Sequence, residues 1–182
     1  MAQYGLFRRF WLTRLSRPAG ERRIYRHAIR RPPRRIIEIG VGTLARTTRL
    51  LELAGSLAGR EGLHYVGLDR FEGRTPDDPP GVTLKQAHQR LHGLARVQLV
   101  PGEIDTSLSR LCNHLGAFDM LVISADHERR QLDRCWFFIQ RIVTADTVIF
   151  TETAGTGGGA WSIVPKSRVD ELAAKTVLRR AA

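Results

Sequence analysis

The stretch Arg35-Ile-Ile-Glu-Ile-Gly-Val-Gly-Thr-Leu-Ala45 decides the fold of this chain. Its isoleucine-rich first half predicts a short buried strand, and the two glycines at positions 40 and 42 predict a tight turn. An apolar stripe with helical spacing begins at Leu44 and continues to about residue 57. A strand, a turn and a helix therefore follow one another directly, and this order is the first part of a βαβ unit.

The alternation of strands and helices continues towards the C-terminus. Apolar and amphipathic runs predict the further elements: strands at 64–68, 97–100, 119–123 and 147–150, and helices at 83–95, 107–115, 128–143 and 167–175. Five such repeats predict an α/β fold in which a parallel sheet is covered on both faces. Because a closed barrel needs eight repeats, we expect an open, doubly wound sheet in three layers. The pattern weakens after residue 150, so we expect a sheet that is truncated after its fifth or sixth strand or ends in a minimal hairpin.

Length and composition indicate a globular protein with one main domain. The 182 residues match one domain of ordinary size, and 42% hydrophobic with 26% charged residues exclude wholesale disorder. The apolar runs are much shorter than the about 20 residues of a membrane-spanning helix, and the N-terminal region has no pattern of a cleavable signal segment. The sequence therefore predicts a cytoplasmic protein without a membrane span. Two distant cysteines, Cys112 and Cys135, give no basis for a disulfide framework or a zinc site.

Positive charge is concentrated at the N-terminus. Eleven arginines and one acid, Glu21, lie within residues 1–35, a balance of +10, whereas the rest of the chain carries +1 of the total of +11. We therefore divide the chain into a basic helical arm at 1–33 and an α/β domain at 34–182. Such an arm is expected to attract nucleic acid or an anionic membrane surface. The alternative is a compositional bias, since the chain has 26 arginines and only three lysines.

The arm begins with an amphipathic helix at about residues 4–16. Its apolar residues recur near helical spacing among the arginines: Leu6, Phe7, Phe10, Trp11 and Leu15. The helix could dock on the domain or lie on a membrane, and docking is the favoured interpretation because one short helix binds membranes weakly. Pro32 and Pro33 predict the end of any helix that continues from Ile24.

The glycine turn suits a ligand that approaches the backbone closely, because glycine has no β-carbon. Two interpretations compete for it. The spacing Gly40-x-Gly42-x-x-Ala45 also satisfies the dinucleotide fingerprint, which would make the protein an NAD(P)-dependent oxidoreductase. Glu38 favours the other interpretation, because a carboxylate is unfavourable beside a pyrophosphate and suits a ligand with an ammonium group and hydroxyls.

With this acidic residue before its glycines, the sequence resembles the class I S-adenosylmethionine-dependent methyltransferases over about residues 34–153. Their first motif is an acidic residue followed by x-G-x-G at the end of the first strand. The resemblance implies a Rossmann-like fold and S-adenosylmethionine as cofactor, with Asp69 on the ribose hydroxyls and Glu103 on the adenine amino group. The cofactor site that it implies consists of Glu38, Gly40, Val41, Gly42, Thr43, Asp69, Arg70, Glu103, Ile104 and Ser124.

The stretch Phe118-Asp-Met-Leu-Val-Ile-Ser-Ala-Asp126 is similar to the fourth motif of the small-molecule O-methyltransferases in this family. Two departures from the family concern metal binding. Ser124 stands where the metal-dependent members have an aspartate ligand, and Thr151-Glu152-Thr153 replaces their Asp-Asn pair. Because hard cations need several oxygen ligands, we expect no metal site. A third departure is Leu44, which replaces a glycine often found in the first motif and is tolerable at the start of a helix.

Methyl transfer to a hydroxyl needs in-line positioning and a base. The candidate catalytic bases are Asp126, His127 and Glu152. Each has a structural alternative, since Asp126 could cap a helix, His127 could be a solvated loop residue and Glu152 could pair with an arginine. The predicted function is metal-independent methyl transfer to an unidentified acceptor, for which the family suggests a small hydroxylated molecule. The alternative is a catalytically degenerate module that keeps the fold and binds anionic partners through the basic arm.

Overall fold

The computed structural model describes residues 5–125, 129–153 and 159–181. The helices in these ranges are α1 (Leu6–Arg14), α2 (Arg22–Arg30), α3 (Ala45–Ala58), α4 (Leu84–Leu91), α5 (Ile104–Leu111), α6 (Arg129–Ile139) and α7 (Lys166–Ala181). The strands are β1 (Arg35–Ile39), β2 (His64–Asp69), β3 (Arg96–Pro101), β4 (Met120–Ile123), β5 (Val148–Thr153) and β6 (Ala160–Ile163). Within the described part of the chain, no helix has the length and apolar character that crossing a membrane requires.

One sheet contains the six strands of the described residues, in the order β3-β2-β1-β4-β5-β6. The first five strands are parallel, and β1 lies in the middle with β2 and β4 on its two sides. β6 is antiparallel to β5, from Phe150 opposite Ile163 to Thr153 opposite Ala160. The predicted open, doubly wound sheet is confirmed, and beyond the fifth strand it ends in a single antiparallel strand. The strand order reverses between β1 and β4, and in such sheets the ligand crevice lies at the carboxyl ends of these strands.

Apolar side chains fill the space on both faces of the sheet. Alternate residues of β1 point to opposite faces, so Ile36 lies in one core while Ile37 and Ile39 lie in the other. Helices α1 to α4 contribute to the first core, and α5 to α7 contribute to the second. The three predicted layers are therefore present.

The ends of several elements differ from the sequence-based expectation. α4 begins after Thr83, whose side chain forms a capping box with Gln86, and it ends at Leu91 rather than at residue 95 because Gly93 has a φ of +73°. α5 begins at Ile104 instead of residue 107. β5 continues beyond residue 150 because β6 pairs with its second half. Local signals therefore placed the elements, and capping and pairing fixed their ends.

The second helix of the basic segment is part of the first core. Ile24, Tyr25 and Ala28 of α2 are fully buried beside the sheet. The helix ends at Arg30, before the two prolines, as predicted. The division of the chain at residue 33 stays a prediction, but the packing of α2 joins this helix to the domain.

The first helix docks on the domain through only part of the predicted stripe. Leu12 is buried and Trp11 is partly buried against the first core. The remaining apolar residues of the stripe are exposed: Leu6, Phe7, Phe10 and Leu15. The helix therefore packs on the domain, as the favoured interpretation has it, but only one narrow side of it faces the core.

The segment that joins α1 to α2 and the first turn of α2 lie against the last strand. Arg23 Nη1 donates a hydrogen bond to the carbonyl oxygen of Trp161, at 3.3 Å. A β-carbon at Gly20 would come within 2.6 Å of the Gly159 carbonyl oxygen and 2.9 Å of the Trp161 ring. This approach therefore requires glycine at position 20.

The burial of α2 predicts a large difference between two aliphatic truncations. We expect Ile24→Ala to lower the free energy of unfolding by about 2–5 kcal/mol, because it leaves a cavity in the first core. Leu15→Ala, at an exposed position, should change it by no more than about 0.5 kcal/mol. Urea denaturation followed by circular dichroism measures both values, and equal effects of the two changes would contradict the assignment of α2 to the core.

Candidate functional site

Three loops meet at the carboxyl ends of β1, β2 and β4, where the strand order reverses. The Gly40 amide donates to the Leu68 carbonyl in β2, and the Ser124 amide donates to the Ile39 carbonyl in β1, each at 2.9 Å. These bonds hold the three loops side by side. The topology thus brings the predicted site residues of three separate strands to one edge of the sheet.

Asp69 holds the glycine turn against the end of β2. Its Oδ2 accepts hydrogen bonds from the amides of Val41 (2.9 Å) and Gly42 (3.1 Å), and its Oδ1 accepts one from the Phe71 amide (3.0 Å). Arg74 adds two more bonds, from Nε to Oδ1 at 3.0 Å and from Nη2 to Oδ2 at 2.7 Å. Burial opposes the charge of this carboxylate, but the bonds from Arg74 and from the backbone outweigh it and lower the pKa of Asp69. Asp69 is therefore a buried anion that organises the turn.

The arginine that covers Asp69 belongs to the loop after β2. Arg74 Nη1 donates to the Pro79 carbonyl at 2.7 Å, and a side chain at Gly81 would collide with the Arg74 side chain. The proline-containing loop is thus packed around this side chain. Arg74 closes the side of Asp69 to which the resemblance assigns a ribose.

Arg70 and Glu103 form a second ion pair beside this loop. Arg70 lies between two carboxylates, with Nη1 2.8 Å from Asp78 Oδ1 and Nε 2.8 Å from Glu103 Oε1. Burial would lower the pKa of Arg70, but the bonds to Glu103 and Asp78 raise it. The Glu103 side chain remains about half exposed at the start of α5. These predicted site residues therefore lie close together and near solvent.

Glu38 is fully buried and bonded to side chains of the domain itself. Its Oε1 accepts a hydrogen bond from Arg46 Nε (2.7 Å), and its Oε2 accepts from Thr47 Oγ1 (2.6 Å) and Tyr65 Oη (2.9 Å). Burial and the adjacent Glu38 charge raise the pKa of the Tyr65 phenol well above its ordinary value. A direct contact of Glu38 with a ligand stays a prediction, since three neighbouring side chains already bond to this carboxylate.

Arg46 connects Glu38 to the glycine turn and to the last strand. Its Nη2 donates to the Gly40 carbonyl at 3.0 Å, and its guanidinium carbon lies 4.8 Å from the centre of the Trp161 ring. Burial would lower the pKa of Arg46, but the charge of Glu38 outweighs this effect and raises it. The guanidinium therefore stays charged and occupies the position beside Glu38 and the Gly40 carbonyl that would attract an ammonium group.

Two residues after the strand ends have backbone conformations that favour glycine. Leu44 has a φ of +66° at the start of α3, and Phe71 has a φ of +48° just after β2. Both side chains are buried. A left-handed conformation costs about 1–2 kcal/mol for such residues, and strain of this kind is concentrated at ligand sites. The expectation that Leu44 is tolerable as an ordinary helix start was incomplete, because its backbone keeps the shape that glycine would adopt there.

The predicted catalytic region is described in part. Just after β4, Ser124 Oγ and the Ala125 amide each donate a hydrogen bond of 3.2 Å to Glu152 Oε2. The sheet therefore brings together Ser124, just after β4, and Glu152, within β5. Asp126 and His127 lie outside the described residues, so their roles stay predictions.

The other predicted cofactor residues are spread over different environments. Val41 is buried in the first core and Ile104 in the second. Thr43 is exposed, and its carbonyl oxygen accepts a hydrogen bond from Arg90 Nη1 at 3.4 Å. Of these three residues, Val41 bonds to Asp69, through its backbone amide.

Sequence reasoning did not identify the partners of the two buried carboxylates. These partners are Arg46, Thr47, Tyr65 and Arg74. The Arg74 contact had a usable signal, since an arginine five positions after a strand-ending aspartate can fold back onto it within one loop. In the ranges that the structure describes, no three His, Cys, Asp or Glu side chains are grouped so that they could hold a metal ion.

The comparisons with known proteins give structural neighbours but no sequence relatives. No protein family model matches the chain, and no curated protein matches it. The chain is similar to the O-methyltransferase TomG from Streptomyces achromogenes, which is involved in tomaymycin synthesis and was solved in complex with SAM. The TM-score is 0.56 and the identity is 16%, and the match covers 92% of this chain and 69% of that chain. It is similar to an O-methyltransferase from Bacillus cereus in complex with SAH, at a TM-score of 0.55 and 19% identity over 92% and 71% of the two chains.

A third neighbour is the SAH-bound methyltransferase PaMTH1 from Podospora anserina, at a TM-score of 0.50 and 16% identity. This match covers 80% of our chain and 60% of that chain, so our chain spans less than two thirds of the neighbour's length. Together these likenesses show the fold, and the predicted Rossmann-like methyltransferase fold is confirmed. The last strand is a difference from the dinucleotide-binding sheet, because β6 is antiparallel, whereas both halves of that sheet are built from parallel βαβ units.

The buried Glu38 network predicts a strong effect of removing one charge. We expect Glu38→Gln to lower the free energy of unfolding by about 3–5 kcal/mol, because the Arg46 guanidinium would remain buried without its counter-ion. The matched control is Glu52→Gln, which breaks the more exposed Arg8–Glu52 ion pair and should cost about 0.2–1 kcal/mol. Urea denaturation measures both, and a small loss in Glu38→Gln would show that the network does not hold the turn.

The lowered pKa of Asp69 predicts a pH-dependent contribution to stability. A carboxyl whose pKa is lower in the folded than in the unfolded chain stabilises the fold above the unfolded value, and this contribution is lost as the pH falls through the folded value. We expect Asp69→Asn to be about 1.5–3 kcal/mol less stable than wild type near pH 7, and the difference to shrink from about pH 4 downwards.

The control for this experiment is Asp146→Asn, which removes an exposed ion pair with Arg31 and should behave as wild type across the range. The measurement is urea denaturation at several pH values. A difference between Asp69→Asn and wild type that grows towards acid pH would have the opposite sign and would refute the assignment.

Proposed function

We propose that this chain binds S-adenosylmethionine at the carboxyl ends of β1, β2 and β4 and transfers its methyl group to a small hydroxylated acceptor. The observation that carries this proposal is the buried Asp69, fixed to a glycine turn at the end of β2. It lies in a sheet whose structural neighbours include O-methyltransferases solved with SAM or SAH. The acceptor class is a family-level expectation.

The residues of this edge fit part of the cofactor. Asp69 would hold the ribose hydroxyls after Arg74 has moved aside, because Arg74 is the only side chain among its described partners and lies on a loop. Glu103 would receive the adenine amino group, since its carboxylate is half exposed at the end of β3. The strained backbone at Leu44 and Phe71 supports a ligand site at the same place.

Glu38 fits a direct cofactor contact less well than the sequence suggests. Arg46 already supplies its counter-ion and also binds the Gly40 carbonyl. We therefore assign Glu38 a positioning role, in which it fixes Arg46 and, through Arg46, the glycine turn. The end of the cofactor that carries the ammonium group would meet this neutral ion pair instead of a single carboxylate.

Among the residues that the structure describes, Glu152 is the candidate for the base. S-adenosylmethionine, when bound, supplies a methyl group on a sulfonium, so an acceptor hydroxyl needs alignment and a place for its proton. Ser124 and the Ala125 amide orient the Glu152 carboxylate towards the end of β4. Glu152 would accept the hydroxyl proton there, and Asp126 or His127 remains the alternative base. We propose a reaction without a divalent metal, because Ser124 replaces a carboxylate ligand at the position that the resemblance assigns to the metal.

A second candidate function is a binding module that has the methyltransferase fold without its catalysis. The arginines on Glu38 and Asp69 favour it, because they neutralise both carboxylates that the motifs assign to the cofactor. Such a module would bind through its surface and would not transfer methyl groups. An NAD(P)-dependent oxidoreductase is the least favoured alternative, given the antiparallel β6.

The proposal predicts the outcome of calorimetry with S-adenosylhomocysteine. We expect binding with a dissociation constant in the micromolar range, or about −8 kcal/mol, and loss of binding in Asp69→Ala. Arg74→Ala should bind several-fold more tightly, because the ribose no longer competes with the guanidinium. The control is Asp146→Ala, which lies before the amino end of β5, away from the carboxyl ends of the strands, and should bind as wild type.

Transfer of a labelled methyl group to a panel of hydroxylated acceptors then separates the two candidate functions. Activity that falls at least about 100-fold in Glu152→Gln supports the enzyme and its base. Binding of S-adenosylhomocysteine without transfer to any acceptor would favour the module. Preferential binding of a nicotinamide nucleotide would overturn both.

A further inference from the structure

The outer face of α1 is an apolar surface without cover from the described part of the domain. Leu6 is 84% exposed, Phe7 78% and Phe10 55%. Residues in a helix are 100° apart, so these three side chains share one side, and the buried Leu12 lies on the opposite side. The helix therefore uses one side to dock and presents large apolar groups on the other.

Positive charge lies beside this outer face. Arg14 is exposed and lies four residues after Phe10, so it projects from the same side of the helix. Arg17 is exposed in the segment that follows. The only acid among the first 35 residues is Glu21, and it is buried. An approaching surface therefore meets arginine charge with apolar groups between the charges.

We propose that the outer face of α1 docks on an anionic lipid surface. A helix with aromatic and aliphatic groups on one side and arginines beside them inserts its apolar side at the boundary of headgroups and acyl chains. The arginines remain in the headgroup region, where anionic lipids attract them. This interaction does not depend on methyl transfer, and it would place the protein at a membrane surface.

Two other partners fit the same surface less well. Phosphate contacts of nucleic acids use charged and polar groups, so they leave Leu6 and the phenylalanines without a role. A second copy of the chain would need about 20–30 residues on each side for a stable interface, far more than one helix face offers, and its arginines would repel the first copy. A lipid surface requires neither base contacts nor a large matching area.

Co-sedimentation of the full chain with vesicles tests the proposal. We expect binding to vesicles with about 30% phosphatidylserine in phosphatidylcholine, and little binding to phosphatidylcholine alone. Raising the salt concentration from about 0.05 to 0.5 M should weaken binding by screening the arginines. Because one short helix anchors weakly, binding should be reversible on dilution.

Three variants separate the apolar and the charged contributions. Phe7→Ser with Phe10→Ser should reduce the bound fraction at least about 10-fold, since both rings leave the lipid. Arg14→Gln should reduce it about two- to five-fold. The matched control is Val177→Ser, which changes an exposed apolar residue of α7 (47%) and should bind as wild type. All changes lie at exposed positions, and thermal unfolding verifies that each variant folds.

Other outcomes identify the alternatives. The proposal is overturned if the double serine variant binds vesicles as strongly as wild type does. It is also overturned if Val177→Ser loses as much vesicle binding as the double serine variant. Salt-dependent binding of a duplex oligonucleotide with no vesicle binding would assign the basic segment to nucleic acid. A dimer in analytical ultracentrifugation that the double serine variant abolishes would assign the face to a second copy.

Discussion

The carboxylate of Glu38 lies inside a parallel sheet without access to solvent, and the surrounding elements compensate its charge. An isolated ion at such a place costs several kcal/mol, so donors must come from every side. Thr47 and Arg46 come from the first turn of α3, and Tyr65 comes from β2. These bonds fix α3 and β2 relative to β1. Because Arg46 also bonds to Gly40, the compensation of one charge determines the shape of the turn at the candidate site.

The sequence predicted the repeating part of the fold well, because periodicity and glycine signals are local. β1 was placed at its observed residues, and the order of strands and helices was confirmed. The partners of Glu38 were not predictable, since Tyr65 is 27 positions away and no repeat links the two. The side of α1 that docks was also missed. The apolar stripe of α1 gives no sign of which of its residues meet the core, because that choice depends on neighbours that are distant in the chain.

The candidate site was predicted as a set of loops, and the structure adds its charge balance. Glu38 and Asp69 suggested an acidic pocket for a cation and a diol. Arg46 and Arg74 pair with these carboxylates, so the edge is close to neutral in the described conformation. A ligand there must exchange partners instead of filling an empty acidic site. The sequence contained all four residues, but only the tertiary structure shows that the arginines face the acids.

The contact of Arg23 with Trp161 joins positions 138 residues apart. The N-terminal partner leaves the ribosome long before the strand that completes its surroundings has been synthesised. Until then the apolar side chains of α2, among them Ile24 and Tyr25, lack part of their native cover. Such delayed long-range pairing slows folding and exposes apolar surface to aggregation. A chain that ends before β6 is therefore expected to expose apolar surface of α2 and to aggregate more readily than the full chain.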